Sequence, residues 1–553
     1  MQGLVTLPAL LERLQPPSSA RRLPLLHIGL AILAGALHAA SIAWPFGGGL
    51  SLGQPVWWLQ LLSLAILVWQ LAGAAKVWHA AWLGWWFAVA MQCATWWWLY
   101  VSLHTYGGLA SSLAVLGIVG LAGFLALYYL TICACFRALV AVNSAYFAII
   151  FASLWLLAEL GRVAFFTGFP WGEGGYAQLD GPFDNLAKLV GVHGLTFGAA
   201  LAAAALAGLA GKQRRAQPAV LLLAGVLLAG AASFALRVGG DQTAPKASYF
   251  TAPTPGAISV TLLQGNIAQD EKFRGASGVP DALTWYGQQL RAAQTDLVVT
   301  PETALPLLPS QLPEGYLEAL TDRFTRPAAG SKPIAALVGI PLGSFEVGYT
   351  NSVIGLKPGG TDSASAYRYD KHHLVPFGEF VHPLFKWFLD IVNMPLADFN
   401  RGAVSQPSFS WRGQQLAPNI CYEDLFGEEL AARFAGPGPA PTAFVNISNI
   451  GWFGNTIAID QHLAISRLRA IEFERPMIRA TNTGATIIID HAGRVTDSLP
   501  RHTRGALVGS VHGRTGVTPY AWWAARWGLW PWWGLCVAIV LLAAGRRFHW
   551  AKA

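Results

Sequence analysis

The sequence predicts two kinds of structure in one chain, a polytopic α-helical membrane domain and an α/β domain. Hydrophobic residues make up 54% of the 553 residues, charged residues make up 12%, and 24 residues are tryptophan. This composition is typical of a protein that lies partly in a lipid bilayer. After Gly256 the pattern changes to short strand-like runs that alternate with helical segments, which indicates α/β architecture with a buried sheet.

Apolar stretches long enough to cross a bilayer occur seven times before Arg237 and once near the end of the sequence. A crossing needs about 20 apolar residues, at a rise of about 1.5 Å each. The predicted spans cover residues 23–44, 56–75, 81–103, 113–136, 144–166, 186–210, 219–236 and 527–545. The sequence therefore predicts a membrane domain of about seven helices over residues 1–236 and a final transmembrane helix over residues 527–545.

Basic residues indicate how these spans are oriented. If the spans alternate in direction, the basic residues that precede, separate and follow them fall on one side, whereas residues 47–54 and 104–112 contain no Lys or Arg. The basic residues concerned are Arg13, Arg21, Arg22, Lys76, Arg137, Lys212, Arg214, Arg215, Arg546, Arg547 and Lys552. The positive-inside rule makes their side cytoplasmic, so both termini are predicted to be cytoplasmic and residues 237–526 to be exported. The same rule explains the net charge of +8 without nucleic-acid binding.

Cysteine positions predict neither a disulfide scaffold nor a metal site. Four of the five cysteines, Cys93, Cys133, Cys135 and Cys536, lie inside apolar stretches, as small core-facing or lipid-facing residues do. Cys421 is the only cysteine between residues 237 and 527. The first twenty residues do not predict a cleavable signal peptide. No cofactor and no metal is predicted.

The α/β domain is predicted to cover residues 257–520. It follows an extended linker at residues 237–256, which is rich in Ala, Thr, Pro and Gly. Predicted strands cover residues 258–263, 295–300, 333–339, 351–356, 408–411, 416–420, 442–447 and 485–489. Predicted helices cover residues 281–294 and 460–474.

Three residues of this domain form a candidate catalytic set, because each is near the end of a predicted strand. They are Glu302, Lys371 and Cys421. Loops that leave the carboxyl ends of strands in an α/β sheet converge on one crevice. A free thiol has a pKa of about 8.5 and needs a cation or a base to become a nucleophile. Each residue also has an ordinary interpretation, as a buried thiol, a salt-bridged carboxylate or a surface lysine, and spacing alone leaves both open.

The motifs around these residues are long. They read Pro-Glu-Thr-Ala-Leu-Pro at Glu302, Tyr-Asp-Lys-His-His-Leu-Val-Pro-Phe-Gly-Glu at Lys371 and Asn-Ile-Cys-Tyr-Glu-Asp at Cys421. In this order they resemble the nitrilase, or carbon-nitrogen hydrolase, superfamily with its Glu-Lys-Cys triad. Seven predicted spans before the domain and one after it resemble the bacterial apolipoprotein N-acyltransferase family. Further matching motifs begin at Gln264, Tyr349, Asn446, Gly451 and Arg469.

The resemblance implies an α-β-β-α sandwich for residues 257–520 and an acyl-transfer reaction. The implied donor is a membrane phospholipid, and the implied acceptor is the N-terminal amine of a diacylglyceryl-cysteine lipoprotein. Cys421 would carry the acyl group as a thioester, Glu302 would move protons, and Lys371 with the N–H of Tyr422 would hold the oxyanion. The implied location is the bacterial inner membrane with the catalytic domain in the periplasm. A monomer is expected.

Matching motifs also imply six supporting or substrate-binding residues, Glu379, Tyr422, Glu423, Phe273, Asn351 and Trp452. For Glu379 the alternative is an ion pair that only orients Lys371, and for Tyr422 it is packing of the ring in the core. Two positions depart from the family pattern. Phe273 replaces a tryptophan and loses its indole donor, and Ile450 replaces an acidic residue, so any hydrogen bond of that residue must be absent or made elsewhere.

Two other functions use the same residues or the same fold. A membrane-tethered amidase or nitrilase would pass the thioester to water, and an envelope scaffold would carry a non-catalytic nitrilase-like domain. Apolar loops at residues 167–171 and 377–396 favour lipid substrates, because a water-soluble amide does not need them. The loop at residues 167–173 is interpreted as an interfacial contact or, alternatively, as part of an aromatic belt. A Cys-His dyad with His372, His373 or His462 is a further alternative for the site.

Overall fold

The computed structural model describes residues 23–140, 146–209, 248–359, 367–380 and 399–550, together with short pieces between residues 220 and 233. The chain divides into two compact units. The membrane unit comprises Met1–Trp97, Ser112–Gly240 and Leu529–Ala553, and the catalytic unit comprises Trp98–Ser111 and Asp241–Gly528. The short segment Trp98–Ser111 therefore belongs by its contacts to the catalytic unit, although it follows a helix of the membrane unit.

The described residues contain helices and strands in both units. The α-helices are α1 (Leu25–Ile42), α2 (Trp57–Gly73), α3 (Val77–Trp96), α4 (Ser111–Leu139), α5 (Phe147–Ala164), α6 (Ala187–Leu209), α7 (Gly278–Ala292), α8 (Tyr316–Thr325), α9 (Gly427–Ala432), α10 (Ala458–Phe473), α11 (Pro519–Trp527) and α12 (Trp530–Trp550). The strands are β1 (Thr251–Pro253), β2 (Ile258–Gln264), β3 (Leu297–Val299), β4 (Ala335–Ser344), β5 (Gly348–Leu356), β6 (Tyr367–Asp370), β7 (Phe409–Trp411), β8 (Gln414–Ile420), β9 (Ala443–Ser448), β10 (Met477–Thr481), β11 (Ile487–Ile489), β12 (Val495–Ser498), β13 (Gly505–Val511) and β14 (Arg514–Gly516).

Length and composition identify the helices that could cross a membrane. Among the described residues, α1, α4, Phe147–Thr167 and Asp184–Leu209 are long and apolar enough, and α11 with α12 forms one further candidate that is bent by 83°. Helix α2 is apolar but has 17 residues. Helix α3 ends before a π-helical turn at Val101–Tyr106, earlier than the predicted span at residues 81–103. The predicted span at residues 219–236 lies mostly outside the described residues, so seven crossings stay a prediction.

The membrane unit buries both apolar and polar groups. Phe87, Tyr129 and Trp155 lie in its apolar core. The loop at residues 167–173 is packed inside the same unit: Trp171 is 2% exposed, and its carbonyl oxygen accepts from Arg162 Nη2 at 2.8 Å. Glu173 is fully buried. The prediction of an interfacial contact is therefore wrong for Trp171 and Glu173.

The catalytic unit is built on two six-stranded sheets. Their strand orders are β12-β11-β10-β9-β8-β7 and β13-β2-β3-β4-β5-β6, with parallel pairing at β2-β3-β4 and at β8-β9-β10. Successive side chains of a strand point to opposite faces. In β2, Val260 and Leu262 pack in the core that both sheets share, whereas Leu263 packs on the outer face of its sheet. The sheets therefore lie face to face around one apolar layer.

Helices cover the outer faces of both sheets. Tyr286 and Leu290 of α7 and Phe324 of α8 pack on the sheet that contains β2. Phe473 of α10 and Tyr520 of α11 pack on the other sheet. This arrangement is an α-β-β-α sandwich, as the fold class predicted.

The eight predicted strands correspond to β2, β3, β4, β5, β7, β8, β9 and β11, and the two predicted helices correspond to α7 and α10. The remaining strands were not predicted. One of them lies in the predicted linker: β1 pairs with β14 in an antiparallel two-stranded sheet, in which Thr251 lies opposite Gly516. The described end of that linker is therefore extended and hydrogen-bonded rather than free.

Candidate active site

Cys421 lies on a sharp turn at the carboxyl end of β8. Its φ is 54°, in the left-handed region that costs free energy for any residue other than glycine. The carbonyl oxygen of Cys421 accepts a hydrogen bond from Asn446 Nδ2 at 3.2 Å, which helps to hold the turn. The side chain is partly exposed, although the residues that follow it are buried. The turn thus presents the thiol at the end of the sheet.

His462, on α10, contacts the main chain of this turn. Its Nε2 lies 3.2 Å from the carbonyl oxygen of Cys421 and 2.9 Å from Asp424 Oδ1, and Arg479 Nη2 lies 2.7 Å from Nδ1. Because a guanidinium can only donate, Nδ1 must accept and Nε2 must carry the hydrogen. Burial and the charge of Arg479 also lower the pKa of His462. Its one lone pair is occupied, so this geometry disfavours a Cys-His dyad with His462.

Glu302 lies on the turn after β3, close to β4. A Cβ at Gly339 would lie 2.2 Å from the carbonyl oxygen of Pro301, so glycine is required for this close approach. Glu302 is 6% exposed, and both oxygens of its carboxylate accept hydrogen bonds. Asn351 Nδ2 donates to Oε1 at 2.7 Å, and the main-chain N–H of Asn449 donates to Oε2 at 2.8 Å.

Lys371 follows β6 and forms ion pairs with the carboxylates of Glu302 and Glu379. Its buried Nζ lies 3.2 Å from Glu302 Oε1 and 2.8 Å from Glu379 Oε2. Asn351 donates to both carboxylates as well, at 2.8 Å to Glu379 Oε1. Glu379 therefore forms an ion pair with Lys371, and whether it only orients Lys371 stays a prediction.

Charges in this cluster decide which group holds a proton. Burial and the negative charge of Glu302 raise the pKa of the Cys421 thiol to about 12, although Lys371 opposes the shift. Burial opposes the charge of Glu302, but Lys371, Lys272 and two hydrogen bonds lower its pKa overall. Burial likewise opposes the charge of Lys371, but both carboxylates raise its pKa. At neutral pH the resting site therefore holds a thiol, a carboxylate and an ammonium.

Glu423 and Tyr422 stabilise the loops that carry the set. Glu423 Oε2 accepts from the main-chain N–H of Ile420 at 2.6 Å and from the Tyr369 hydroxyl at 2.7 Å, and Oε1 accepts from the N–H of His372 at 2.6 Å. Glu423 thus ties the loop of Lys371 to the turn of Cys421. The Tyr422 ring is buried, with its centroid 5.4 Å from that of Phe426, as core packing would place it.

The remaining positions singled out from the sequence make aromatic and apolar contacts. Phe273 is partly buried beside Lys272, whose Nζ lies 5.7 Å from the ring centroid. Trp452 is partly buried, with its ring centroid 5.9 Å from that of Tyr106 in an edge-to-face arrangement. Ile450 is 1% exposed and packs against Gly484, where a Cβ would lie 2.5 Å from it. The position that is acidic in the family pattern is therefore an apolar contact here.

Some residues of the site were missed from the sequence. Lys272 is buried and donates to the carbonyl oxygen of Glu302 at 3.0 Å. Gln269 and Asn482 form amide hydrogen bonds with Asn449, whose main chain holds Glu302. A lysine or amide in a loop is ordinarily a surface residue, so no sequence signal marked these three. Most of the apolar loop at residues 377–396 lies outside the described residues.

Sequence models of two protein families match this chain. The sequence model of the Apolipoprotein N-acyltransferase N-terminal domain matches residues 25–205, and that of Carbon-nitrogen hydrolase matches residues 259–520. Among solved structures, a carbon-nitrogen hydrolase from Helicobacter pylori has a TM-score of 0.33 and 14% identity to this chain, and the match covers 50% of this chain and 94% of that chain.

Relatives match along almost the whole length of the chain. The apolipoprotein N-acyltransferase of Verminephrobacter eiseniae is 56% identical, with coverage of 93% of this chain and 94% of the relative. That of Ralstonia nicotianae is 40% identical, with coverage of 94% and 93%. The chain therefore belongs to the apolipoprotein N-acyltransferase family.

Proposed function

We propose that the protein transfers an acyl chain from a membrane phospholipid to the N-terminal amine of a diacylglyceryl-cysteine apolipoprotein. Cys421 would carry the chain as a thioester, and Glu302 and Lys371 would serve the reaction at that atom. The observation that supports this most strongly is the buried cluster in which the Lys371 ammonium bridges the carboxylates of Glu302 and Glu379 beside the turn of Cys421. Membership of the acyltransferase family supports the substrate class.

Thioester formation uses the resting charges of the site. The Glu302 carboxylate accepts the thiol proton as Sγ of Cys421 attacks the ester carbonyl, so a free thiolate need not accumulate. Lys371 and the N–H of Tyr422 stabilise the oxyanion. Collapse breaks the bond to the glycerol oxygen, and Glu302 returns its proton to that oxygen as the lysophospholipid leaves.

The second transfer reverses the direction of the proton. The acceptor amine attacks the thioester carbonyl, Glu302 takes the amine proton, and collapse forms the amide and releases the sulfur. That proton then restores the thiol of Cys421. Donor and acceptor thus use one site in turn, as a ping-pong scheme requires.

The setting of the enzyme is part of the proposal. We expect a multi-pass protein of the bacterial inner membrane with a periplasmic catalytic unit and both termini in the cytoplasm, because the basic residues beside the spans favour that orientation. We expect a monomer. Transfer to water, as in an amidase, is not favoured, because the relatives that match almost the whole chain are named acyltransferases.

Acyl labelling tests the proposal directly. Purified protein is incubated with a phospholipid labelled in its acyl chain, and intact mass is measured. We expect one acyl group on Cys421 and its discharge when a diacylated lipopeptide is added. Cys421→Ser should acquire no thioester, whereas the control Cys135→Ser, in the membrane unit, should label normally.

Two results would contradict acyl transfer. Release of free fatty acid at full rate without an acceptor would indicate a hydrolase, and a folded protein that takes no label would indicate a scaffold. Labelling at a residue other than Cys421 would contradict the assigned nucleophile.

A further inference from the structure

Lys272 is a buried lysine for which the proposed mechanism has no use. It is 2% exposed, and its Nζ donates to the main-chain carbonyl of Glu302 at 3.0 Å and to the Thr303 hydroxyl at 2.6 Å. An ammonium group is costly to bury unless polar groups surround it. Both acceptors belong to the turn from which the Glu302 side chain projects, so Lys272 holds the main chain of the catalytic carboxylate.

The turn needs such support. Thr303 has a φ of 45°, in the left-handed region, so the main chain directly after Glu302 is strained. The main chain of Lys272 is also held in place, because its main-chain N–H donates to the carbonyl oxygen of Ala268 at 2.9 Å. At the start of α7, a Cβ on Gly278 would lie 2.0 Å from the carbonyl oxygen of Glu271, so α7 packs directly on the same loop.

Titratable groups face Lys272 from several elements. Glu302 lies after β3 and Cys421 after β8, and both raise the pKa of Lys272. Lys371 pairs with the same Glu302 carboxylate and with Glu379. On the loop of Lys272 itself, Asp270 precedes Glu271, which pairs with Arg274. When both buried lysines are protonated, their charges balance those of Glu302 and Glu379.

We propose that Lys272 is a positioning residue of the transfer reaction, whose protonated amine fixes the turn of Glu302 and keeps its carboxylate ionised until Cys421 gives up its proton. This inference rests on the proposed function, because it assigns Lys272 a part in thioester formation. Lys272 touches neither the acyl donor nor the thiol in this scheme, so it acts only through Glu302.

Two effects of pH follow from the charge of Lys272. Burial lowers the pKa of Lys272 to about 8, so the amine loses its proton as the pH rises above that value, and thioester formation should slow. Lys272 also lowers the pKa of Glu302. Removing that positive charge leaves Lys371 and the hydrogen bonds to oppose burial, so the pKa of Glu302 should rise relative to the wild type and the loss of activity in acid should move to higher pH.

The test measures thioester formation alone, without an acceptor amine. Full-length protein is mixed with acyl-labelled phosphatidylglycerol in detergent, and the initial rate of labelling at Cys421 is measured from about pH 4 to pH 10, because the headgroup carries no amine to titrate there. The variants are Lys272→Met and Lys272→Arg. Lys332→Met is the matched control, since Lys332 is exposed and pairs with Asp296.

We expect Lys272→Met to label about tenfold to a hundredfold more slowly at pH 7, as when a partner that orients a reactive group is removed. In its pH profile, the fall in rate towards acid (the acid limb) should move to higher pH, and the fall in rate above about pH 8 (the alkaline limb) should disappear. Lys272→Arg should keep the acid limb and lose the alkaline one, because a guanidinium does not titrate in this range. Lys332→Met should match the wild type in rate and profile.

A wild-type rate that does not change between about pH 6 and pH 10 would overturn the proposal, as would an unchanged pH profile in folded Lys272→Met. If thermal unfolding shows that Lys272→Met is not folded, the wild type and Lys272→Arg decide: a shared alkaline limb overturns the proposal, and its loss in Lys272→Arg supports it. If wild-type Cys421 acquires no label at any pH, the proposed function fails rather than this inference.

Discussion

At the scale of single residues, opposite pKa shifts leave the proton on the thiol of Cys421 and keep the carboxylate of Glu302 ionised. The thiol of Cys421 keeps its proton because burial and the nearby carboxylate raise its pKa, and Glu302 stays ionised because cations and hydrogen bonds lower its pKa. In the proposed mechanism, the proton therefore moves to Glu302 only as the thiol attacks. A resting thiol is also less open to oxidation than a thiolate.

Replacing Glu302 by Gln tests whether its carboxylate accepts the thiol proton. The amide keeps the shape of the side chain but cannot accept the thiol proton, so the initial rate of Cys421 labelling should fall about 10²-fold to 10⁴-fold with the fold retained. Intact mass gives the rate, and thermal unfolding checks the fold. Glu318→Gln, at an exposed position on α8, is the control. A Glu302→Gln rate within threefold or so of the wild type would remove Glu302 from the mechanism.

The pH profile of the wild type tests the same charges. Because the pKa of Glu302 lies below its ordinary value of 4.5, the carboxylate stays ionised as pH falls from neutral to that value. The rate of Cys421 labelling should therefore fall in acid only below pH 4.5. An acid limb with its midpoint near neutral pH would show that another group is the base, or that Glu302 is protonated at rest.

His462 provides a test of the alternative dyad. In His462→Gln, an amide N–H can still donate towards Asp424 and the carbonyl oxygen of Cys421, but an amide cannot accept a proton from a thiol near neutral pH. If His462 only supports the turn, labelling should fall by about tenfold or less. A loss comparable to that of Glu302→Gln would instead make His462 a proton acceptor.

Sequence reasoning could propose the triad because long motifs surround it. The structure brings Glu302 and Lys371 within 3.2 Å of each other, and the catalytic roles stay a prediction. It could not identify Lys272, because the burial of a lysine depends on which loops fold over it. Nor could it show that His462 has its lone pair occupied by Arg479. Both facts are properties of contacts between distant segments.

At the scale of elements, the candidate residues lie at the ends of strands, and close packing between main chains sets the position of Glu302 relative to β4. The turn of Glu302 lies against β4 because Gly339 has no side chain. The main-chain N–H of Gly339 also donates to the Thr300 hydroxyl, just before this turn, at 3.0 Å. The distance between the carboxylate and the rest of the site thus depends on a position that carries no reactive group.

Gly339→Ala should disturb the site without touching a catalytic side chain. The new Cβ would meet main-chain atoms, which cannot rotate away, so we expect a loss of about 1–3 kcal/mol in the free energy of unfolding. Labelling of Cys421 should slow as well. Gly275→Ala is the control, because a Cβ there would meet nothing within 4 Å. Equal stability and equal labelling in the two variants would contradict this account of β4.

Strand prediction failed where side chains obscured the pattern. Strand β10 was missed because it carries Arg479 in the middle of an otherwise apolar run, and that arginine is buried against Asp424. Strand β6 was missed because Arg368 and Asp370 make it look like a loop. Apolar strands such as β3 and β9 were predictable, because burial on both faces gives a continuous apolar run.

At the scale of the whole molecule, the site draws on both sheets of the sandwich. Glu302 and Lys371 follow strands of one sheet, and Cys421 and Asn449 follow strands of the other. Neither sheet alone holds a complete set. Catalytic competence therefore requires that the sheets have already packed on their shared apolar layer.

Orientation in the membrane is the prediction at this scale. Ser331→Cys, at an exposed position of the catalytic unit, should react with a membrane-impermeant maleimide in intact spheroplasts. Arg214→Cys, between the sixth and seventh predicted spans, should react only after lysis. The unmodified chain gives the background from Cys421. Labelling of Arg214→Cys before lysis and of Ser331→Cys only after it would reverse the proposed topology.

The pairing of β1 with β14 has a consequence for how such a protein could arise. Thr251 and Gly516 lie side by side, so the ends of the sandwich meet at nearly one point, although all twelve strands of the two six-stranded sheets lie between them in the sequence. A module with adjoining ends can be spliced into a host chain without stretching either partner. Transfer of this module to another chain would thus need a new point of attachment and no new fold within the module.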